Sequence, residues 1–488
     1  MRSIKNWLSR SVTIFFLFAA CKDKPLQPDN VTVGLEITAP AAAVLSGGSL
    51  QLTATATLNN GKISEVTPNV TWSIQPGKTG RISESGLFSA NNNSVGMETV
   101  RADYKGQSAT FQIEVTKRAT TLAVWPVNGK VAAGGTLRFE AIAEYQDVSH
   151  EYVTDKVTWT ISPGNAATID NAGVLRAKPG VAGGETVTGT FQNLTARSLV
   201  EVQLNFLSPI ELVTIPAGSF MMGDNNSGNN NEQPAHEVQL DAFAIGKYEV
   251  TNEQYARYLT EAFAAGEIFY ESTLVTGKIG PFAASIYTRL RGSPEFPDNF
   301  IEAVQLGNNY EFRAVPGFET YPVVRMNWYG AAAFCAFYGL RLPTEAEWEM
   351  ACRGGQQNPY GTRDGTISHD LVNYQGIGGR DTFTGLAPVG SFPPNPYGIY
   401  DLSGNAAEFV FDVYDAAYYA KSPRQNPKGP GPAMILAPLP GGLGLWRGGS
   451  WIDPSRQCRS AFRGTIREHA DHNLLGEAVV GFRVARSL

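Results

Sequence analysis

The chain is poor in the side chains from which most chemistries start. Its 488 residues hold four cysteines and five histidines, and only 17% of them are charged. Five histidines, with no serine in a G-x-S-x-G elbow, leave a nucleophilic hydrolase without support. A formal net charge of -6 supplies no basic field, which excludes nucleic acid as a partner. Beyond the N-terminal segment no apolar run is long enough to span a bilayer. Against these shortages stand 51 glycines and 29 prolines, a turn-rich composition that favours short strands and long loops over helical bundles.

The N-terminus sets the compartment. "MRSIKNWLSR" carries three cationic side chains, "SVTIFFLFAA" is a short apolar core, and Ala19 and Ala20 directly precede Cys21. Charged head, short apolar run and small residues before a boundary make a secretory signal over residues 1–20. The "FAAC" junction, followed by the polar linker 21–30, resembles a bacterial lipoprotein cleavage site. That resemblance implies a lipidated Cys21, a membrane partner through the anchor, and an outer-membrane location facing the periplasm or the cell surface. An ordinary secretory signal is the alternative. Either way three cysteines remain in an oxidising space, where one pair and one odd thiol are expected.

Behind the signal lies an internal repeat. "GGSLQLTATA" from Gly47 returns as "GGTLRFEAIA" from Gly134, "VTWSI" from Val70 as "VTWTI" from Val157, and "SGLFSA" from Ser85 as "AGVLRA" from Ala172. One constant offset across three blocks means two copies of one module. Leu50, Leu52, Ala54 and Ala56 alternate with polar residues, as do Leu137, Phe139, Ala141 and Ala143, which is the period of a half-buried strand. Trp72 and Trp159 are then core residues. These blocks resemble the bacterial Ig-like group 2 family over residues 31–116 and 117–204. Two such sandwiches would be spacers that lift a head off the membrane, with carbohydrate binding as the alternative.

The head is specific in its motifs. "IPAGSFMMG", "EQPAHEVQLDAFAIGKYEVTNEQYARYL", "YPVVRMNWYGAAAFCAFYGLRLPTEAEWEMACRGG", "APVGSFPPNPYGIYDLSGNAAEF", "WRGGSWIDPSRQCRSAFRG" and "GFRVAR" follow in order. Together they resemble the formylglycine-generating enzyme (sulfatase-modifying factor) family over residues 207–488. The fold class so implied is a multidomain chain: two all-β Ig-like sandwiches, then an α+β C-type-lectin-like domain of low regular structure. Within it, "TNEQYARYLTEAFAAG" opens on a capping Thr251, "WYGAAAFCAFYG" is a small-residue helix ended by Gly339, and Thr344 with Glu347 forms a capping box. After Gly354 regular structure is expected to be scarce.

Loops of that kind need ions or buried polar bonds to hold them. Calcium takes hard oxygens from Asn, Asp, Glu and main-chain carbonyls. The resemblance implies one calcium site at Asn373, Tyr374, Asp381 and Phe383, and a second at Asn405 and Glu408. It also implies copper(I) chemistry in the active enzymes, which hold the metal between two thiolates just after the "GGS" block. Here the nearer position is Asp453, a hard ligand, so the pair is broken, and Cys458 is catalytic only if an oxidase survives without it. The same resemblance implies a disulfide between Cys352 and Cys458, with Cys335 left free; Cys335 with Cys352 is the other pairing. The cluster Glu468, His469, Asp471, His472 reads as a polar loop rather than a metal site.

Two functions remain. One is a non-catalytic head that binds a protein or glycan partner through Trp451, Asp453, Arg456, Arg459, Arg463, Arg467 and His469, with Arg463 and Arg483 alternatively engaged only in satisfying buried carbonyls. The other is a copper-dependent oxidase that converts a cysteine of exported sulfatases to formylglycine. The long insert from Gly266 to Phe318 is expected either to cover the binding face or to dock a partner.

Overall fold

The computed structural model describes residues 31–75, 77–204, 210–278, 282–292, 299–307, 309–430, 443–467 and 479–488. The signal 1–20, Cys21, the linker 21–30 and the cluster around His469 lie outside the described residues, as does the side chain of Arg467. The chain forms two compact units, Met1–Arg118 and Ala119–Leu488.

Both β modules have the same strand plan. In the first, Thr32–Thr38, Thr53–Leu58 and Ile63–Glu65 form one antiparallel sheet. A mixed sheet sets Ala43–Leu45 parallel to Gln107–Thr116, followed by Gly96–Tyr104 and Thr71–Gln75. Three short strands, Ser49–Gln51, Leu87–Ala90 and Gly80–Ile82, complete it. In the second module Ala119–Trp125, Glu140–Tyr145 and His150–Tyr152 make the first sheet. Asn128–Ala132, Leu194–Gln203, Gly183–Phe191 and Thr158–Ser162 repeat the mixed one, parallel pair included. The alternation read from sequence holds, since Leu52, Ala54 and Ala56, like Phe139, Ala141 and Ala143, are buried.

The repeat extends to hydrogen bonds. Trp72 and Trp159 each donate the indole N–H to a carbonyl five residues earlier, Thr67 and Thr154, at 3.1 Å. The buried Glu98 carboxylate accepts from the Gly77 and Thr79 amides, and Glu185 accepts likewise from Gly164 and Ala166. Each glutamate closes a turn whose amides would otherwise be buried without partners. Sequence pattern alone passed over this pair.

The second module is not a free spacer, which corrects the expectation for that copy. Trp125 and Ile142 belong to the hydrophobic core of the head, together with Phe282, Trp328 and Phe337. The Trp125 and Phe282 rings lie 5.1 Å apart, and the Lys130 ammonium sits 3.4 Å above the Phe337 ring. Gly339 permits this approach: its φ is +66°, and a Cβ there would lie 2.2 Å from the Lys130 carbonyl oxygen. A large aromatic side chain on a strand face gains most when covered, and the head covers it.

In the head three helices form where the caps predict. Helix α1 (Asn252–Ala264) has a full capping box between Thr251 and Gln254. Helix α2 (Trp328–Phe337) is capped by Asn327 and is buried nearly all round. Helix α3 (Glu345–Arg353) has the Thr344–Glu347 box and stops at Gly354 in the left-handed region. A four-stranded sheet, Gly464–Arg467, Leu443–Arg447, Ala407–Val413 and Val480–Phe482, lies beside them. From Gly354 to Ala406 the described chain has neither helix nor strand. The described part of the insert does not stand apart from the head. Its strands Ile268–Glu271, Leu274–Gly277, Ile286–Arg289, Ile301–Leu306 and Asn309–Ala314 feed Val275, Tyr287, Ile301 and Phe312 into the core around α1.

Candidate functional site

Helix α3 organises the centre of the head. Its capping box fixes the helix phase, so that Glu345 and Glu349 share one side. The segment from Trp446 onward runs past that side and lends it arginines. Arg447 donates to Glu345 at 2.9 Å and to Glu349 at 2.5 Å, and reaches the Ser460 carbonyl. Arg463 donates to Glu345 at 2.6 Å, and Arg353 to Glu349 at 2.7 Å. Burial opposes the Arg447 charge, but Tyr419, Glu349 and Glu345 outweigh it and hold its pKa above the ordinary arginine value. Burial likewise opposes the Glu349 charge, while Arg353 and Arg447 carry the net shift downward.

A second centre lies around Arg483. Its guanidinium grips both oxygens of Glu408 at 2.6 Å and donates to the Gly246 and Tyr400 carbonyls at 2.9 Å. Trp348 adds its indole N–H to Glu408 at 2.7 Å. Two further carboxylates, Glu249 and Asp401, interact with the same guanidinium. Glu249 accepts from the Asn405 amide group and the Ala406 N–H, each at 3.0 Å, and Asp401 accepts from the Gly390 N–H at 2.7 Å. Burial pushes both carboxyls up, Asp401 to about 6. The sequence reading passed over both, although Asp401 stands in the same "DLSGNAAEF" block as Asn405 and Glu408.

The residues expected to bind calcium divide accordingly. Glu408 has both oxygens committed to Arg483 and Trp348. Asn405 accepts from Ala387 N–H and Asn373 and donates to Glu249 and the Ala387 carbonyl. That second set does not fit a calcium ion. In the first set Asp381 is a buried carboxylate that accepts from the Phe383 N–H and faces His369 Nδ1 at 3.1 Å, while His369 stacks on Tyr374 at 4.1 Å. The set consists of hard oxygens with Asp381 as its one carboxylate, of the kind that suits calcium, with His369 as the group that would yield its place. Among the described residues no three His, Cys, Asp or Glu side chains are gathered for a metal.

Copper finds no such fit. Asp453 caps its own turn, accepting from the Ser450 N–H at 2.8 Å and the Ser450 hydroxyl at 2.6 Å. Cys458 is fully buried, and burial together with the Asp453 charge drives its thiol far from ionisation. A copper(I) site needs two soft thiolates; this place offers a hard oxygen and a protonated thiol.

The disulfide that the resemblance implies between Cys352 and Cys458 is not formed in this structure. Cys335, Cys352 and Cys458 are free thiols in the interior. Cys352 meets Ser460, donating to its Oγ at 3.2 Å and to the Leu402 carbonyl at 3.4 Å. Cys458, two residues earlier, turns toward the Pro454 carbonyl. Burial raises the Cys352 thiol to about 12.

The proposed binding face is smaller than the sequence suggested. Arg463 leaves it, being buried against Glu345, and Arg459 is spent on Glu232 and Asp224 at 2.8 and 3.3 Å. Arg483 is likewise interior, bound to a carboxylate as well as to carbonyls. What remains at the surface is Trp451, half-buried, with Ile452 45% exposed and Arg456 exposed beside it. The loop carrying Tyr374 and the exposed Ile377 adjoins them through the Gln375 N–H to Asp453 carbonyl bond of 3.0 Å.

With this geometry in view, residues 199–488 match the model of the sulfatase-modifying factor enzyme 1-like domain, and the chain belongs to that family. It is similar to the formylglycine-generating enzyme of Bos taurus, with 35% identity over 249 residues that cover 46% of this chain and 63% of the relative. It is similar at almost the same level to the inactive C-alpha-formylglycine-generating enzyme 2 of Bos taurus, 34% identical over 242 residues, covering 46% of this chain and 79% of that one. The chain therefore spans less than two thirds of the first of these relatives. Among solved structures, PvdO of Pseudomonas aeruginosa matches at 25% identity with a TM-score of 0.40, covering 57% of this chain and 95% of that one.

Proposed function

We propose that the protein is an exported, lipid-anchored envelope protein whose head binds a partner and does not oxidise cysteine. The observation that carries this is Asp453, locked onto Ser450 where the resemblance implies a thiolate, with Cys458 buried so that its thiol is pushed away from ionisation. The surface formed by Trp451, Ile452 and Arg456 supports a protein or glycan contact, because it joins a half-buried aromatic, an exposed aliphatic and an exposed cation. The repeated modules fit Ig-like spacers in which the first copy gives reach and the second braces the head. A structural calcium ion belongs to this reading at Asn373, Tyr374, Asp381 and Phe383, and Asp381→Ala abolishes its binding in a calcium titration.

The oxidase reading is favoured by similarity to formylglycine-generating enzymes. An anaerobic copper(I) titration of the full chain, followed by oxygen uptake with a cysteine-containing sulfatase-motif peptide, separates the two. The binding reading expects neither stoichiometric copper nor peptide-dependent uptake; observing both would replace it with the oxidase.

A further inference from the structure

One side chain beside Asp381 has no part in the calcium set. His369 Nδ1 lies 3.1 Å from Asp381 Oδ2, and its ring stacks on Tyr374 at 4.1 Å with 7° between the planes. The Asp381 side chain is fully buried, whereas 22% of the His369 side chain reaches solvent. Two glycines wall the ring: a Cβ at Gly376 would stand 3.5 Å from Nε2, and one at Gly378 would stand 3.4 Å from Cδ2. The main chain fixes the same arrangement, since the Asp381 N–H donates to the His369 carbonyl at 2.9 Å.

As a carboxylate Asp381 only accepts, so His369 Nδ1 donates its hydrogen to Oδ2. Asp381 Oδ1 accepts from the Phe383 N–H at 3.2 Å, which leaves both oxygens engaged. Calcium bonds oxygen at about 2.3–2.6 Å. An N–H aimed at Oδ2 sets the positive end of its dipole where the cation would sit, and a nitrogen that keeps its hydrogen cannot be a ligand. Ring and ion therefore exclude each other at this oxygen. Asn373 needs no such release. Its NH2 group is held by the Gly385 carbonyl at 3.0 Å and by Asn405 Oδ1 at 3.3 Å, with its own Oδ1 left without a donor among the described residues.

We infer that, given the calcium site proposed above, His369 is its gate: it competes with calcium for Asp381, and the bound ion drives the ring off both Asp381 and Tyr374. The ring has a way out, because part of it already meets solvent and the two glycines beside it carry no side chains to block it. Its departure bares the Tyr374 ring on the loop that bonds to the Asp453 carbonyl through Gln375, close to Trp451.

The test is a calcium titration of the full chain by calorimetry, with the histidine ring signals followed by 1H–13C NMR. His369→Phe keeps a flat ring on Tyr374 but cannot donate to Asp381, and it is expected to bind calcium roughly tenfold more tightly than the parent. Tyr374→Leu keeps the main-chain carbonyl, removes the stack and tightens binding in the same direction. At calcium saturation the His369 signal of the parent, identified by its loss in His369→Phe, moves as the ring leaves the Tyr374 ring current. Asp381→Ala shows neither binding nor movement. Should His369→Phe prove too unstable for calorimetry without the ion, the rise of its melting temperature with calcium gives the same comparison. Calcium bound by the parent as tightly as by His369→Phe, or a His369 signal that stays in place at saturation, overturns the gate and leaves the calcium site standing. Binding by neither protein removes the calcium site and the gate together.

Discussion

Cys352 donates its thiol hydrogen to Ser460 Oγ across 3.2 Å, joining α3 to a residue 108 positions further along the chain. The two side chains face each other, and a sulfur in place of the Ser460 oxygen would lie beside the Cys352 thiol. Ser460→Cys is therefore expected to cross-link spontaneously with Cys352 and to stabilise the head by about 2–4 kcal/mol. Peptide mapping without reductant checks the bond, and a denaturant melt checks the gain. The parent chain should instead show Cys335, Cys352 and Cys458 as free thiols after denaturation.

Arg447 is the counter-charge on which α3 depends. Its guanidinium is fully buried between Glu345 and Glu349. Arg447→Met would leave two carboxylates short of a cation in the interior, at a cost of about 3–5 kcal/mol. Urea unfolding should show that loss, whereas Arg424→Met at the exposed pair with Glu237 should change stability by less than about 1 kcal/mol.

Asp401 gives the head an uncommon pH response. Burial, opposed by the Gly390 N–H and Arg483 and reinforced by Glu408, raises its carboxyl from 3.8 to about 6. A raised carboxyl binds its proton more tightly when folded, so its contribution is full below the unfolded value and is lost as pH rises through 6. Glu249 and Asp412 are shifted in the same direction by burial. The carboxylates shifted downward, Glu349 among them, oppose this only in more acid solution. The melting temperature is expected to rise from pH 7.5 to pH 5.5, and Asp401→Asn should flatten that rise.

Trp125 tests whether the second module is part of the head. Trp125→Ala opens a cavity beside Phe282 and should cost about 3–5 kcal/mol, read as a lowered melt of the whole unit from Ala119 onward. A chain begun at residue 207 lacks that ring altogether and should be unstable or insoluble on its own.

Much of this molecule was written locally and was therefore readable. The capping boxes at Thr251 and Thr344, the stop at Gly354 and the loop-rich stretch after it depend on residues a few positions apart. The paired modules were legible because alternation at Leu52, Ala54 and Ala56 recurs at Phe139, Ala141 and Ala143.

The fate of the charged residues was not legible. Arg463 and Arg459 lie in the same short block as the surface Arg456, yet one is buried against Glu345, the second held by Glu232, and only the third is left to solvent. An arginine shows the same chemistry in any sequence; its role is set by the carboxylate opposite, and here that carboxylate is more than a hundred residues away in the chain. The sequence by itself determined the repeated modules and the helix caps. Tertiary structure decided which arginines are interior, that the Cys352 thiol meets Ser460, and that the second module completes the head, because each of these depends on distant surfaces meeting.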